Sequence, residues 1–355
     1  FYVNSYLFII EYELVINFFY KNIQIMSQNI NSSSSICILR LSSIGDITHM
    51  IPVINTLLNH SPESNITWII GKTEYELVKN IKGIEFIVFD KNRSLDSIKI
   101  LKKYLKGRRF NFLLHMQKSL RSRIISFFVR AEKKYNYGNV KVQDRYHVLD
   151  TFFLFLQNLG ISKKILDWSI NINQNHDILK IKKDYIVLNP FTSSRRFNFR
   201  EWKINNYIAI CKYLSDTYDI DSVIVGGKSN YEIDESKKIG SEKFIHNLVG
   251  KTNLQELYNI LKCSKFYIGP DSGTLHIASM LRKPVIGLFA TSNPLRTGPY
   301  NNMDYIVNKY EIALKKYNNK SINEVKWGAR IRNNQAMSLI TQEDVIDMVD
   351  KILGA

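Results

Sequence analysis

Residues 265–300, KFYIGPDSGTLHIASMLRKPVIGLFATSNPLRTGPY, decide the fold. Phe266-Tyr267-Ile268 is a short apolar run of strand type, and Gly269-Pro270-Asp271-Ser272-Gly273 breaks it. Residues 274–281 read as a helix with Leu275, Ile277, Ala278 and Leu281 as its apolar positions, and residues 285–289 form a second apolar run. Strand, small polar turn, helix, strand is the repeating unit of a parallel sheet. Small residues in the turn let a ligand reach the backbone, and the free N–H groups and positive dipole end of the helix favour an anion there. The same residues also suit an ordinary turn in which Asp271 or Ser272 caps the helix. On these residues alone the ordinary turn is the simpler reading.

The unit recurs along the chain. Residues 36–39, 66–70, 85–89 and 110–114 read as strands, and residues 47–58, 75–80, 95–105 and 119–129 as helices between or after them. This alternation predicts a doubly wound α/β domain. A long apolar helix over 147–160 ends at Gly160. A polar stretch follows, and residues 185–188 open a second α/β half, with a helix over 202–214, a strand over 222–225 and a helix over 254–261. Residues 341–352 form the tail, with helical spacing at Val345, Ile346, Met348, Val349 and Ile352. The expected boundaries are a leader at 1–35, a first domain at 36–170, a linker at 171–184, a second domain at 185–340 and a terminal helix at 341–355.

A chain of 355 residues has length for two such cores. Cys37, Cys211 and Cys263 are too scattered for a disulfide framework or a zinc site and suit a reducing cytoplasm. The net charge of +17 implies an anionic partner, whether nucleic acid, membrane surface or phosphorylated substrate. From Lys99 to Arg145 there are 14 basic residues against Glu132 and Asp144, most of which read as solvated helix faces. The chain begins with Phe1, and its first apolar stretch holds Glu11 and Glu13, which a spanning helix tolerates poorly. The expectation is that Met26 is the start and residues 1–25 are upstream sequence, with an amphipathic surface anchor as the alternative.

Several residues could carry chemistry. Asp46 follows Gly45 at a strand-to-helix turn and is the candidate general base, or else an N-cap. His49, one turn on, could orient a substrate or be structural. Residues 115–122 lie just after a strand end, where open α/β sheets bind ligands. Residues 189–202, NPFTSSRRFNFREW, set hydroxyls and cations directly after a strand, suited to phosphates or to a basic surface loop. Gly226-Gly227 lacks the G-x-G-x-x-G spacing, so a nicotinamide cofactor is not expected. No carboxylates have metal-ligand spacing, so no metal is expected either.

Together these segments resemble glycosyltransferase family 9, the lipopolysaccharide heptosyltransferases. Asp271, Ser272, Gly273 and His276 match that family's D-[ST]-G-x-x-H turn, and Ser292-Asn293-Pro294 fills its later T-x-P loop. Ser42, Ser43, Gly45, Asp46, His49 and Pro52 match S-S-x-G-D-x-x-H-x-x-P, in which the Asp is the proposed base. Gln117, Arg121 and Ser122 match a D-x-Q segment followed by a basic residue and Ser, with His115 in place of the Asp. Thr192, Ser193, Arg200 and Trp202 fit the hydroxyl residues and K-x-W-P at the donor phosphates. Arg200 stands for the Lys and Lys203 for the Pro, and Arg195 or Arg196 could share the phosphate role.

The resemblance implies two Rossmann-like domains facing across a cleft, the GT-B arrangement, with the last helix crossing back to the first domain. It implies an inverting, metal-independent transferase without a cofactor, whose substrate ADP-heptose is held by Thr192, Ser193, Arg200, Glu232, Thr252, Asp271, Ser272, Gly273, Thr274 and His276. Ser43, His49, Gln117 and Arg121 would bind the acceptor, Kdo-lipid A or inner-core lipopolysaccharide, at the cytoplasmic face of the inner membrane. The wording RLSSIGD, LLHMQ and ATSNPLRTGPY looks most like the heptosyltransferase I branch, which acts on Kdo. The alternatives are a family 9 transferase for another sugar and, more distantly, a basic nucleic-acid-binding protein. No named nucleic-acid motif or basic–aromatic interleaving is seen, so nucleic acid is not an expected partner.

Overall fold

Five runs of the first half pair as parallel strands: β1 (Ser35–Leu39), β2 (Asn65–Gly71), β3 (Ile84–Phe89), β4 (Phe110–His115) and β5 (Ala131–Asn136), in the order β3-β2-β1-β4-β5. The computed structural model describes residues 33–141, 145–172, 181, 183–192 and 198–354. Residues 1–32 of the expected leader, most of the expected linker, and Ser193, Arg195 and Arg196 lie outside the described residues. The central strand β1 is apolar on both faces because helices cover both, and Ile36 sits opposite Ile66 on one side and Phe112 on the other. Those helices are α1 (Ile44–His60), α2 (Lys72–Val78), α3 (Ser94–Leu105), α4 (Leu120–Phe128) and α5 (Val148–Gln157).

The second sheet holds β6 (Tyr185–Leu188), β7 (Asp221–Ile224), β8 (Ile245–Asn247), β9 (Tyr267–Pro270), β10 (Val285–Phe289) and β11 (Val307–Asn308), all parallel, in the order β11-β10-β9-β6-β7-β8. Its helices are α6 (Ile204–Tyr218), α7 (Asn230–Ser236), α8 (Leu254–Cys263), α9 (Gly273–Met280), α10 (Pro294–Thr297), α11 (Tyr310–Asn318) and α12 (Gln342–Leu353). In each sheet the chain winds one way and then the other. The reversal falls between β1 and β4 in the first sheet and between β6 and β9 in the second, so each sheet opens a crevice at those strand ends.

The two halves join through α1 and α9. Helix α9 is enclosed on every side: Thr274 through Met280 are all buried, the polar Thr274, His276 and Ser279 included. Ile47, Met50 and Ile54 of α1 share one core with Leu275, Ile277 and Ala278 of α9. The helices touch near their N-termini, where glycines permit it. A side-chain carbon added at Gly45 would lie 2.5 Å from His276 Cδ2, and one at Gly273 2.9 Å from Ile44 Cβ.

The last helix corrects an expectation. It does not cross to the first half: Val345 and Val349 are buried in the second half's core, and the Tyr213 and Tyr218 hydroxyls each donate to Asp350 Oδ1 at 2.8 Å. Trp202 Nε1 pins the Ile340 carbonyl at 2.9 Å just before α12, which fixes the helix against α6. Contact with the earlier part of the chain comes instead from Trp327, whose Nε1 donates to the Tyr146 carbonyl at 2.8 Å, and from Asn323, which accepts from Arg145 at 2.7 Å. All three cysteines are free thiols, with Cys37 and Cys211 buried.

Candidate active site

The first wall of the site is the turn from β1 into α1. Asp46 stands in the first turn of α1, where it accepts from Ser43 N at 2.9 Å and Ser43 Oγ at 2.8 Å. It is therefore the acidic partner of the cap, and Ser43 rather than Asp46 holds the N-cap position. Arg40 Nη2 lies 2.5 Å from Asp46 Oδ2, with Arg40 itself buried and its Nη1 donating to the Met116 carbonyl. All of these contacts fall on Oδ2. Among the described residues Oδ1 accepts no hydrogen bond, and the Asp46 side chain is 27% exposed. Burial alone would raise the Asp46 pKa, but the Arg40 charge and the two Ser43 hydrogen bonds outweigh it, and the carboxyl is held below its ordinary value. The result is an ionised carboxylate with one oxygen braced and one available.

Gln117, at the end of β4, closes this crevice. Its Oε1 accepts from Leu41 N at 2.7 Å and its Nε2 lies 3.4 Å from Ser42 Oγ, so its amide positions the turn that carries Asp46. His115, which replaces the acidic residue of the resembling segment, bonds Ser122 Oγ through Nε2 at 2.9 Å. Ser43 and Arg121 are exposed beside this wall.

The second wall is the turn from β9 into α9. Asp271 and Thr274 are buried, while Ser272 and Gly273 are partly exposed at the N-terminus of α9. The Asp271 carboxylate is turned inward, with Oδ1 3.7 Å from His276 Nε2 and Oδ2 accepting from Thr297 Oγ1 at 3.4 Å. Burial opposes its charge, yet His276, Arg200 and Arg330 prevail and hold its pKa down at about 2. Arg200 Nη1 donates to the Asp271 carbonyl at 2.6 Å and so reaches this turn from the segment after β6. Thr274 Oγ1 accepts from Asn189 Nδ2 at 2.7 Å, which joins the ends of β6 and β9.

Thr192 lies at the same strand end, with its N–H on Glu201 Oε1 at 2.8 Å. Glu201 also accepts from Asn198 Nδ2 at 2.6 Å and Tyr231 OH at 2.8 Å, and it anchors the loop that Thr192 opens. Glu232 is spent on its own turn: Gly227 N and the Ser229 hydroxyl donate to it at 2.9 and 2.5 Å. Thr252 is half-buried in the turn before α8, next to Gly250, whose N–H bonds the Gly226 carbonyl at 3.3 Å. Ser193 lies outside the described residues.

Three histidines fill the floor where the walls meet. The His49 ring is 4.8 Å from that of His276 and 5.1 Å from that of His147, both edge-on. His147 is doubly held: Leu149 N donates to its Nδ1 at 3.1 Å, and its Nε2 donates to the Gly298 carbonyl at 3.1 Å. With Nδ1 accepting, a second proton has no place, and burial pushes the His147 pKa down to about 4. His49 is pushed well below 6.5 by burial and by the neighbouring His276, His147 and Arg40. It is a buried residue of the floor, away from open solvent.

Sequence reasoning missed Arg40, Glu201 and His147 as parts of the site. Arg40 directly follows the apolar residues of β1 and precedes the Asp46 turn, a placement that could have marked it. His147 gave no signal beyond a helix start, because its partner Gly298 lies 151 residues away. Among the described residues no group of three His, Cys, Asp or Glu could hold a metal ion.

The sequence model of glycosyltransferase family 9 (heptosyltransferase) matches residues 98–326. The lipopolysaccharide core heptosyltransferase OpsX of Haemophilus influenzae is 31% identical over 341 residues, covering 90% of this chain and 96% of that protein. Among solved structures, a glycosyl transferase family 9 protein from Veillonella parvula superposes with a TM-score of 0.74 at 19% identity, covering 92% of this chain and 99% of that one. The heptosyltransferase WaaC of E. coli, solved with ADP, gives a TM-score of 0.70 at 16% identity over 90% of this chain and 99% of that one. These two structural likenesses bear on the fold, which is two facing parallel-sheet domains of the GT-B type.

Proposed function

Since this chain belongs to glycosyltransferase family 9, the heptosyltransferases, we propose that it moves L-glycero-D-manno-heptose from ADP-heptose to Kdo in the inner core of lipopolysaccharide, with inversion and with Asp46 as general base. Its likeness to a core heptosyltransferase over most of both chains supports the reaction class. The observation that carries the mechanism is the division of labour at Asp46: Oδ2 is braced by Arg40 and Ser43 while Oδ1 is left for a substrate hydroxyl.

Inversion needs the acceptor oxygen to lose its proton as it attacks from the face opposite the departing diphosphate. Asp46 Oδ1 takes that proton, and the ion pair with Arg40 keeps the carboxylate in line. The diphosphate gathers negative charge as it leaves. The partly exposed N-terminus of α9 at Ser272 and Gly273 offers backbone N–H groups to it, and Arg200 sets its charge against the same turn. Thr192, Thr252 and Glu232 frame the donor by way of the turns they hold, and Asp271 and His276 shape the turn from within. Ser43 and Arg121 present polar groups to the acceptor, with Gln117 and His49 fixing the wall behind them. The enzyme works at the cytoplasmic face of the inner membrane, where its lipid-borne acceptor lies; among the described residues no helix is long and apolar enough to cross a membrane.

Asp46→Asn tests this reading. A base acts in the transition state and little in the ground state, so single-turnover transfer is expected to slow by about 10²–10⁴. ADP affinity is expected to stay near wild type. A folded Asp46→Asn protein with near-normal turnover would remove Asp46 from the mechanism.

A further inference from the structure

Helix α4, LRSRIISFF, carries an apolar stripe on its outer face. Leu120, Ile124 and Phe127 stand at i, i+4 and i+7 and are 74%, 43% and 82% exposed, while Ser122 and Ile125 make the buried face. A helix on a protein surface ordinarily sets polar residues outward. Single exposed apolar residues are common, but three aligned over two turns form a continuous patch.

The surround is positive. No acidic residue occurs from Ser97 to Ala131. Arg121 and Arg123 flank the stripe on α4 itself, with Lys118 before it and Arg130 after it, all exposed. Helix α3 lies alongside, its Lys102 Nζ 4.8 Å over the Phe128 ring, and adds exposed Lys99, Lys103 and Lys106. Glu85 and Glu132 are paired with Arg108 at 2.6 Å and Arg109 at 3.8 Å, and Asp96 in the first turn is the one acidic residue of α3. At the Phe127 end, Arg130 and Lys134 line a concavity of about 500 Å³ together with Arg108 and Arg109, which are held in those ion pairs.

We propose that α4 is the face on which this protein docks to an anionic phospholipid bilayer, with the stripe set at the acyl boundary, the flanking cations on the phosphates and the concavity holding a headgroup. A helix with an apolar face rimmed by Lys and Arg lies in the plane of such an interface, and each cation near the surface adds attraction. A second copy of the chain would bring the same positive charges together, and a nucleic acid would leave Leu120 and Ile124 unused. The choice of a membrane as partner rests on the lipid-borne acceptor of the proposed function; the choice of face does not.

Flotation of the full chain with vesicles tests this, using phosphatidylethanolamine with phosphatidylglycerol in one arm and phosphatidylcholine alone in the other. The wild-type chain is expected to float only with the anionic vesicles. Leu120→Ser with Phe127→Ser, and separately Arg123→Glu with Arg130→Glu, are each expected to weaken that binding by about tenfold or more. The thermal midpoint and ADP affinity should not move. If the apolar pair unfolds the protein, the charge reversal decides, because both arginines are exposed. Wild-type binding by the folded charge-reversed protein overturns the proposal. So does a wild-type chain that ignores both vesicles, whether or not it self-associates or binds a single-stranded oligonucleotide. Vesicle binding lost on charge reversal, in a protein without heptosyl transfer to a detergent-dispersed acceptor, supports the docking face and counts against the proposed function.

Discussion

Asp46 is both a proton acceptor in the proposed mechanism and the counter-charge of buried Arg40, whose Nη2 lies 2.5 Å from its Oδ2. Asp46→Asn is expected to lose about 1–3 kcal/mol of stability as Arg40 loses that counter-charge, which thermal unfolding beside the kinetics will register. The place of Asp46 after Gly45, at the end of a strand and the start of a helix, marks it from sequence. Arg40 is harder to see, because the pair forms only once the chain folds back over the end of β1. Arg200→Ala is expected to weaken ADP binding by about 1.5–3 kcal/mol, and unchanged affinity by calorimetry would exclude it from the donor site. His49 and His147 give a signed pH effect. Both titrate near 6.5 in the unfolded chain, but His147 titrates at about 4 and His49 well below 6.5 in the folded one. Between those values the unfolded chain binds protons that the folded chain does not, so stability falls as pH drops below 6.5. The slope should be about 1.4 kcal/mol per pH unit for each histidine. His147→Phe should flatten that dependence in urea unfolding measured across the range.

At the scale of elements, the long apolar pieces were legible and the short or polar ones were not. The run at 285–289 is β10 to the residue, and α1 and α9 differ from their expected spans by a few residues at the ends. Strand β5, AEKKYN, escaped because an edge strand with one neighbour keeps charges on its exposed side. Strands β8 and β11 span three and two residues, too few for any period. The apolar spacing of residues 341–352 marks α12 as a helix, but sequence shows an apolar face and not which half receives it. The junction of α1 and α9 yields a further prediction. Gly273→Val puts a branched side chain against Ile44 and is expected to cost about 1–3 kcal/mol by overpacking. It should also weaken ADP binding, because in the proposed mechanism the same turn presents its N–H groups to the diphosphate. A variant with unchanged melting temperature would show that the two helix ends are not held together as described.

At the scale of the whole molecule, the two sheets each reverse direction once, and the two crevices so formed face one another. One presents Asp46 and the other the Asp271–Thr274 turn, so that in the proposed mechanism residues far apart in sequence serve one reaction. In the proposed mechanism Arg200 and a helix N-terminus meet the diphosphate charge, so EDTA is expected to leave turnover unchanged. The most direct measurement is a donor screen: the purified full chain is incubated with Kdo-lipid A and each of several nucleotide sugars, and the acceptor is weighed by mass spectrometry. The expected result is the gain of a single heptosyl unit with ADP-heptose, with the other donors giving little. Transfer from a different nucleotide sugar in preference, or an unmodified acceptor in every reaction, is incompatible with the function proposed.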